Sequence, residues 1–272
     1  MAGDALFAEE RKINIVEYIQ KYRKATVPEL CAAFDVSSAT IRNDLRELEN
    51  SGLILRTHGG AMVKSKTGFE LTDKQKQAHS SDEKQRIGKF AIGLVEDGDT
   101  IILDTGTTTS ELAKLLHTKQ NINVVTNDYH IASILEDFET VEVIFMGGTV
   151  RKGFHCTVGI PGRDMLNSLS VDKAFMGANS FSFEKGASTP DINHAETKRA
   201  MIAIATKIIL LCDSTKWGKN SFAQFIDAEK LDVFVTDSIE DIDKRKLEEL
   251  GVEVKKKKKK YNTEKIFCRR RI

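Results

Sequence analysis

From Asp82 onward the sequence alternates, and that alternation restricts the fold more than any other feature. Short β-rich apolar runs fall at Thr100–Leu103, Asn123–Thr126, Val141–Met146, Asp172–Met176, Lys207–Leu211 and Asp232–Thr236. Helical segments read at Lys84–Val95, Ser110–Leu116, Tyr129–Leu135, Ala195–Thr206 and Asp243–Leu250. Strands separated by helices predict an α/β domain with a mostly parallel sheet, because parallel neighbours need a crossover between them. The expected layout is a small domain over 1–63, a linker over 64–81, the α/β domain over 82–254 and a basic tail over 255–272. Residues 64–81 are polar and aperiodic and suit a linker or docking arm, with Phe69 as an anchor.

The first 63 residues predict an all-α winged helix-turn-helix. A helix over Ala8–Tyr22 carries Ile13, Val16 and Ile19 on one face. A second spans Val27–Phe34, with Thr26 as N-cap and Pro28 in the first turn, where a missing N–H does no harm. The third is capped by Ser37 or Ser38, ends at Gly52 and turns Ile41, Leu45 and Leu48 inward. Two short strands, Leu53–Arg56 and Ala61–Val63, flank His58-Gly59-Gly60 and read as a wing.

The outer face of the third helix carries Ala39, Thr40, Arg42, Asn43 and Arg46. Arg and Asn can bond guanine and adenine edges bidentately in the major groove. Ser37 and Ser38 can bond phosphates near the helix start. Arg56, His58, Gly59 and Gly60 suit a wing passing close to the DNA backbone. A merely solvated helix face would also carry charge, but three helices followed by a wing favour double-stranded DNA as the partner.

Charge is distributed unevenly. The stretch Lys255–Ile272 holds ten Lys/Arg against one Glu, a net of +9, within a chain of net +1. The remainder is therefore acidic, at about −8 by subtraction, so DNA contact must come from local geometry. The tail reads as a solvated like-charge run, and deleting residues 257–272 is expected to leave operator choice intact. No apolar run approaches ~18 residues, which predicts no membrane span. The N-terminus lacks a signal-peptide pattern, and Cys31, Cys156, Cys212 and Cys268 lack paired metal spacing. Buried thiols at Cys31 and Cys212, a cytoplasmic location, no metal and no cofactor are the expectations.

A second site is expected in the α/β domain. Asp104-Thr105-Gly106-Thr107-Thr108-Thr109 follows an apolar strand and opens a helix. Gly106 permits close backbone approach, and the threonines offer hydroxyls beside free helix N–H groups, a setting for an anion. No Gly-Lys-Thr/Ser follows, so nucleotide hydrolysis has no support. Asn127, the Gly147-Gly148 pair and Lys216 follow other strands, and ligands in open α/β sheets collect beyond strand carboxyl ends. Arg151, Lys152 and His155 lie near the Gly-Gly loop, with His155 read as structural. Glu196 and Lys198 read as helix-face residues. The expected set is Asp104, Thr105, Gly106, Thr107, Thr108, Asn127, Gly147, Gly148, Arg151 and Lys216.

TIRNDLRELENSGLILRTHGGAM, residues 40–62, resembles the N-terminal signature of the DeoR family of bacterial transcription regulators. Thr40, Ile41, Arg42, Asp44, Leu45, Arg56, His58, Gly59, Gly60 and Ala61 match it. Asn43 stands where many members carry a second Arg. The stretches GDTIILDTGTTTSELA, VVTND, VIFMGGTVRKGFHCTVG, DKAFMGAN, HAETKRAMI and LLCDSTKWGK resemble the family's effector domain, similar in fold to ribose-5-phosphate isomerase. The resemblance, over roughly residues 10–254, implies a homo-oligomeric repressor of a carbohydrate-metabolism operon. It also implies a phosphorylated sugar effector that releases the repressor from DNA. The alternative is a sugar-phosphate isomerase with an accessory N-terminal domain, using Asp104, Asp213 and Glu196 as candidate acids and bases.

Overall fold

The structure, a computed structural model, describes residues 8–22, 24–63, 70–77 and 80–256. Phe69, Cys268 and the tail beyond Lys256 lie outside them. The N-terminal part contains α1 (Ala8–Tyr22), β1 (Lys24–Thr26), α2 (Val27–Phe34), α3 (Ser38–Asn50), β2 (Ile54–Thr57) and β3 (Gly60–Val63). α1 and α2 carry the bounds expected from sequence. The wing gains a third strand, because β1 pairs antiparallel with β3 and makes the order β1-β3-β2. This small sheet joins the helices in one apolar core that includes Ile15, Val16, Ile19, Leu30, Ile41, Leu45 and Leu48.

Local signals set the ends of these helices. Thr26 and Glu29 form a reciprocal capping box at α2, satisfying two orphan N–H donors. Ser37 caps α3 by accepting from Thr40 N at 3.1 Å, which leaves Ser38 as the first helical residue. Gly52 follows α3 in the left-handed region, where glycine is unstrained.

α4 (Asp73–Gln77) lies within the segment read as a linker, and α5 (Ser81–Ala91) follows it. Then come β4 (Thr100–Leu103), α6 (Thr107–Ala113), β5 (Ile122–Thr126), α7 (Tyr129–Leu135) and β6 (Val141–Phe145). The hairpin β7 (Thr149–Arg151) and β8 (Cys156–Val158) leads to α8 (Ile160–Leu166) and β9 (Val171–Gly177). β10 (Ser180–Ser182), β11 (Gly186–Thr189), α9 (Ile192–Ala203), β12 (Ala205–Leu211) and β13 (Ala223–Ile226) follow. The described chain ends through β14 (Val233–Val235), α10 (Asp241–Glu249) and β15 (Glu253–Lys255).

The main sheet has seven strands in the order β15-β14-β12-β9-β4-β5-β6, all parallel. Its two faces carry separate apolar clusters, one around Ile87, Leu103 and Phe175, the other around Met176, Phe181 and Phe234. The chain builds outward from β4 through β5 to β6, then returns to β9 on the other side of β4. The strand order therefore reverses between β4 and β9, and in such sheets this switch point opens a crevice at the strand carboxyl ends. Among the described residues no helix is long and apolar enough to cross a membrane, and no cluster of His, Cys, Asp and Glu could hold a metal.

Candidate functional site

In the head, α3 buries Ile41, Leu45 and Leu48 and exposes Ser38, Ala39, Arg42, Asn43 and Arg46. The exposed polar side chains bond only one another and their helix. Arg42 Nη1 lies 3.3 Å from Ser38 Oγ, Asn43 Nδ2 lies 3.3 Å from Glu47, and Arg46 Nη1 lies 3.5 Å from Asn43. Such long, solvent-exposed contacts give way readily to a better partner. Arg56, His58 and Gly59 are exposed on the wing, across a groove that Ser38, Arg42 and Pro28 also line.

Gly60 is different. A Cβ there would stand 2.0 Å from Ala25 O, so this glycine is buried where β3 meets β1 and offers no surface to DNA. Ser37 and Thr40 are joined to each other at 2.9 Å by the cap, so their hydroxyls already hold the helix start. Asp44 of the TIRNDL stretch is buried and pairs with Arg11 of α1, at 2.7 and 3.1 Å. That bidentate pair locks the exposed helix to α1.

The α/β domain holds a small, partly open cavity of about 30 Å³ at the switch point. Its wall includes Thr105–Thr109 after β4, Gly177–Asn179 after β9, and Lys216 after β12. Arg151 and Phe154 reach it from the β7–β8 hairpin, with the Arg151 guanidinium 3.9 Å above the Phe154 ring. His194 and Lys198 enter from α9, one helical turn apart on the same face. Glu70, Asp73 and Lys76 close it from the segment expected to be a linker.

Several buried polar atoms here lack a hydrogen-bond partner: Glu70 Oε2, Thr108 Oγ1, Arg151 Nη1 and His194 Nε2, with Asp104 Oδ1 just behind. Buried polar groups are otherwise almost always bonded, because desolvation without a partner costs about 1–3 kcal/mol each. Asp104 itself stands behind the wall and forms a fully buried ion pair with Lys198, accepting also from Gly177 N at 2.8 Å. Lys198 thus belongs to the interior rather than to an outer helix face, because α9 is packed on several sides.

Electrostatics follow from burial and pairing. Burial opposes ionisation of Glu70, but Lys76 and Arg151 outweigh it and hold the carboxyl at about 2. Asp213 is likewise opposed by burial but held at about 2, chiefly by Lys216 at 3.1 Å. Burial and the nearby Lys198 push His194 well below its usual value, so its ring is neutral. Burial also pushes the Cys156 and Cys212 thiols up to about 12, while Cys31 is only half-buried.

The expected residues divide in two. Thr105, Gly106, Thr107, Thr108, Arg151 and Lys216 converge on the cavity wall, with Asp104 behind them. The Thr105 hydroxyl is already used, donating to Asp128 at 2.6 Å. Asn127, Gly147 and Gly148 do not reach the cavity. Asn127 Nδ2 donates to Thr157 O at 2.7 Å, tying β5 to the hairpin. Gly148 has φ 142° and would place a Cβ 2.6 Å from Val158 O, while Gly147 O packs against Gly162. Gly148 and Gly162 thus let the backbone at the hairpin base pack closely, whereas a Cβ at Gly147 would meet open space. Lys152 is exposed, and His155 lies 3.7 Å from Asp73, a structural role. Sequence reasoning missed Glu70, Asp73, Lys76, Phe154, Asn179 and His194; the i, i+4 spacing of His194 and Lys198 was the one available signal.

Residues 11–67 match the DeoR-like helix-turn-helix domain, and residues 79–238 match the DeoR C terminal sensor domain. The chain belongs to the DeoR family. It is 37% identical over 246 residues to the HTH-type transcriptional regulator GlpR of Haloferax volcanii, covering 90% of this chain and 96% of that one. It is 36% identical over 252 residues to the regulator GolR of Listeria innocua, covering 92% and 99%. The HTH-type transcriptional repressor GlcR of Bacillus subtilis shares 32% over 234 residues, covering 86% and 90%. Among solved structures, ribose 5-phosphate isomerase of Methanocaldococcus jannaschii is 18% identical with a TM-score of 0.38, spanning 50% of this chain and 54% of that one.

This DeoR-family protein is a transcription regulator whose helix-turn-helix domain binds operator DNA, and it is not an enzyme. The three carboxylates expected to serve an isomerase are each engaged by a cation. Asp104 pairs with Lys198, Asp213 with Lys216, and Glu196 with Arg163 and Arg199.

Proposed function

We propose that this regulator represses a carbohydrate-metabolism operon and leaves its operator when a phosphorylated sugar enters the switch-point cavity. The observation that carries the reading is the convergence of partnerless buried atoms of Thr108, Arg151 and His194 on one cavity beside Lys76 and Lys216. Guanidinium and ammonium groups suit a phosphate, while hydroxyl and imidazole groups suit sugar hydroxyls. The DNA-facing set is Ser38, Ala39, Arg42, Asn43 and Arg46 with Arg56, His58 and Gly59 of the wing, and Ser37 and Thr40 serve as the helix cap. The repressor role is drawn from relatives such as GlcR, which is named a repressor.

The protein works as a homo-oligomer, with two heads on half-sites of one operator. The head spans residues 1–63, the sensor 82–254, and the basic tail reads as a solvated like-charge run. Effector binding favours an arrangement of heads that fits DNA less well, a coupling typically of ~1–3 kcal/mol. A gel shift on DNA adjoining the protein's own gene, run against a panel of sugar phosphates, tests this. Release by one phosphorylated sugar is expected. Operator binding that no member of the panel alters would refute the effector assignment.

A further inference from the structure

The cavity proposed to receive a phosphorylated ligand is small, about 30 Å³, and an anion of the protein already sits at its edge. Glu70 lies on the segment between head and sensor, and its side chain is 4% exposed. Its Oε1 accepts from Lys76 Nζ at 2.5 Å and from Asn179 Nδ2 at 2.9 Å. Its Oε2 lies 2.8 Å from Arg151 Nη2. Asp73 and Asp191 approach the same two cations only to 3.7 Å. A carboxylate surrounded by Lys, Arg and Asn donors occupies the arrangement that a phosphate oxygen would take.

The fit is incomplete. Glu70 Oε2 meets Arg151 without a properly directed hydrogen bond, and Arg151 Nη1 stays bare. A planar carboxylate has two oxygens to offer, whereas a phosphate offers three carrying more charge. We infer that Glu70 is a built-in competitor for the effector's anionic group, seated in the site until a phosphate displaces it. This rests on the reading of the cavity as a phosphorylated-ligand site.

Displacement would move more than one side chain. Toward the sensor, Asp73 N donates to Gly153 O at 3.0 Å, and Thr72 packs against Gly153. Toward the head, Leu71 and Gln75 line a crevice with Ile13, Val16 and Leu48, residues of α1 and α3. The segment is thus fixed to the sensor by polar contacts that an incoming anion disputes, and it abuts the head beside the recognition helix. Expelling Glu70 loosens the seat on which the head rests, which gives the ligand a differential interaction with two states, as any effector requires.

The test is calorimetric titration of the full chain, wild type and Glu70→Gln, with inorganic phosphate and with a panel of pentose and hexose phosphates. Gln keeps the size and removes the charge. Glu70→Gln is expected to bind inorganic phosphate roughly tenfold or more tightly, within the usual range of coupling effects. Adding Arg151→Met should abolish that gain. Equal or weaker phosphate binding by a folded Glu70→Gln protein overturns the inference. Amide exchange in the wild type provides a measurement free of mutation: exchange at Thr72 and Asp73 should rise severalfold with phosphate near saturation, and unchanged protection overturns the inference. The two readings fail separately. A sugar phosphate that binds wild type and Glu70→Gln equally leaves the effector site standing and removes Glu70's role. Tighter inorganic phosphate binding with no sugar phosphate bound by either protein keeps Glu70's role and removes the sugar.

Discussion

The head and the sensor both depend on cations, but they hold them in opposite ways. In the head, Arg42 and Arg46 are exposed and lean on neutral hydroxyl and amide groups of their own helix. In the sensor, Lys198 and Lys216 are paired with carboxylates that are themselves almost fully buried. Exposed, weakly engaged cations are ready for a polyanion and lose little on binding it. Buried, paired cations already have partners, so a ligand must compete with a protein carboxylate. On the proposed function, the head can be permanently competent while the sensor discriminates, because only the sensor imposes an exchange of partners.

The largest test of that contrast is Lys198→Met. It leaves the Asp104 carboxyl at 0% exposure without its ammonium partner, and removal of one partner from a buried pair costs about 3–5 kcal/mol. Urea unfolding should show that loss in the sensor transition. A loss under ~1 kcal/mol would mean the pair is dispensable. Acid is the next perturbation. Glu70 and Asp213 have folded values of about 2, so each stabilises fully above the ordinary carboxyl range and loses its contribution as pH falls towards 2. For Glu70 the contribution is on the order of 3 kcal/mol at neutral pH, from its ordinary 4.5. The urea midpoint should therefore fall between about pH 5 and pH 2.5. Glu70→Gln should flatten part of that fall, and an identical profile would remove Glu70 from the account.

In the head the expected effects are functional rather than structural. Arg42→Ala should weaken operator binding by about 1–3 kcal/mol, measured by gel shift, with thermal stability nearly unchanged. An unaffected operator complex would move the contact elsewhere on α3. The smallest change is Asn43→Arg, an exposed substitution expected to alter stability by less than about 0.5 kcal/mol. Binding-site selection should then show altered preference at one base pair of the half-site. The same selected sequence for both proteins would place Asn43 outside base readout.

What the sequence revealed follows from how local each signal is. The bounds of α1 and α2 were readable because Ile13, Val16 and Ile19 keep helical spacing and Thr26 with Pro28 marks a helix start. β1 was not readable: Lys24–Thr26 is three residues long with one buried side chain, too short for any period. The cavity was half readable. Thr105 to Thr108 follow a strand in the sequence itself, so their gathering could be inferred. Glu70 and Lys76 sit in a polar, aperiodic run, and only folding brings them to Arg151, which lies some eighty residues away in sequence. Gly148 lies away from the cavity because a glycine beyond a strand serves close backbone packing as readily as ligand approach.

One small arrangement in the head sets how recognition can vary. Thr26 ends β1 and also caps α2, and Val27 N donates to Gly59 O at the wing tip at 2.8 Å. Two adjacent residues thus tie strand, helix and wing together. On the proposed function, the head would meet its operator as a stamp meets paper, with helix and wing held in one arrangement. Changes at Arg42, Asn43 or Arg46 can alter what the stamp prints without altering how it lands.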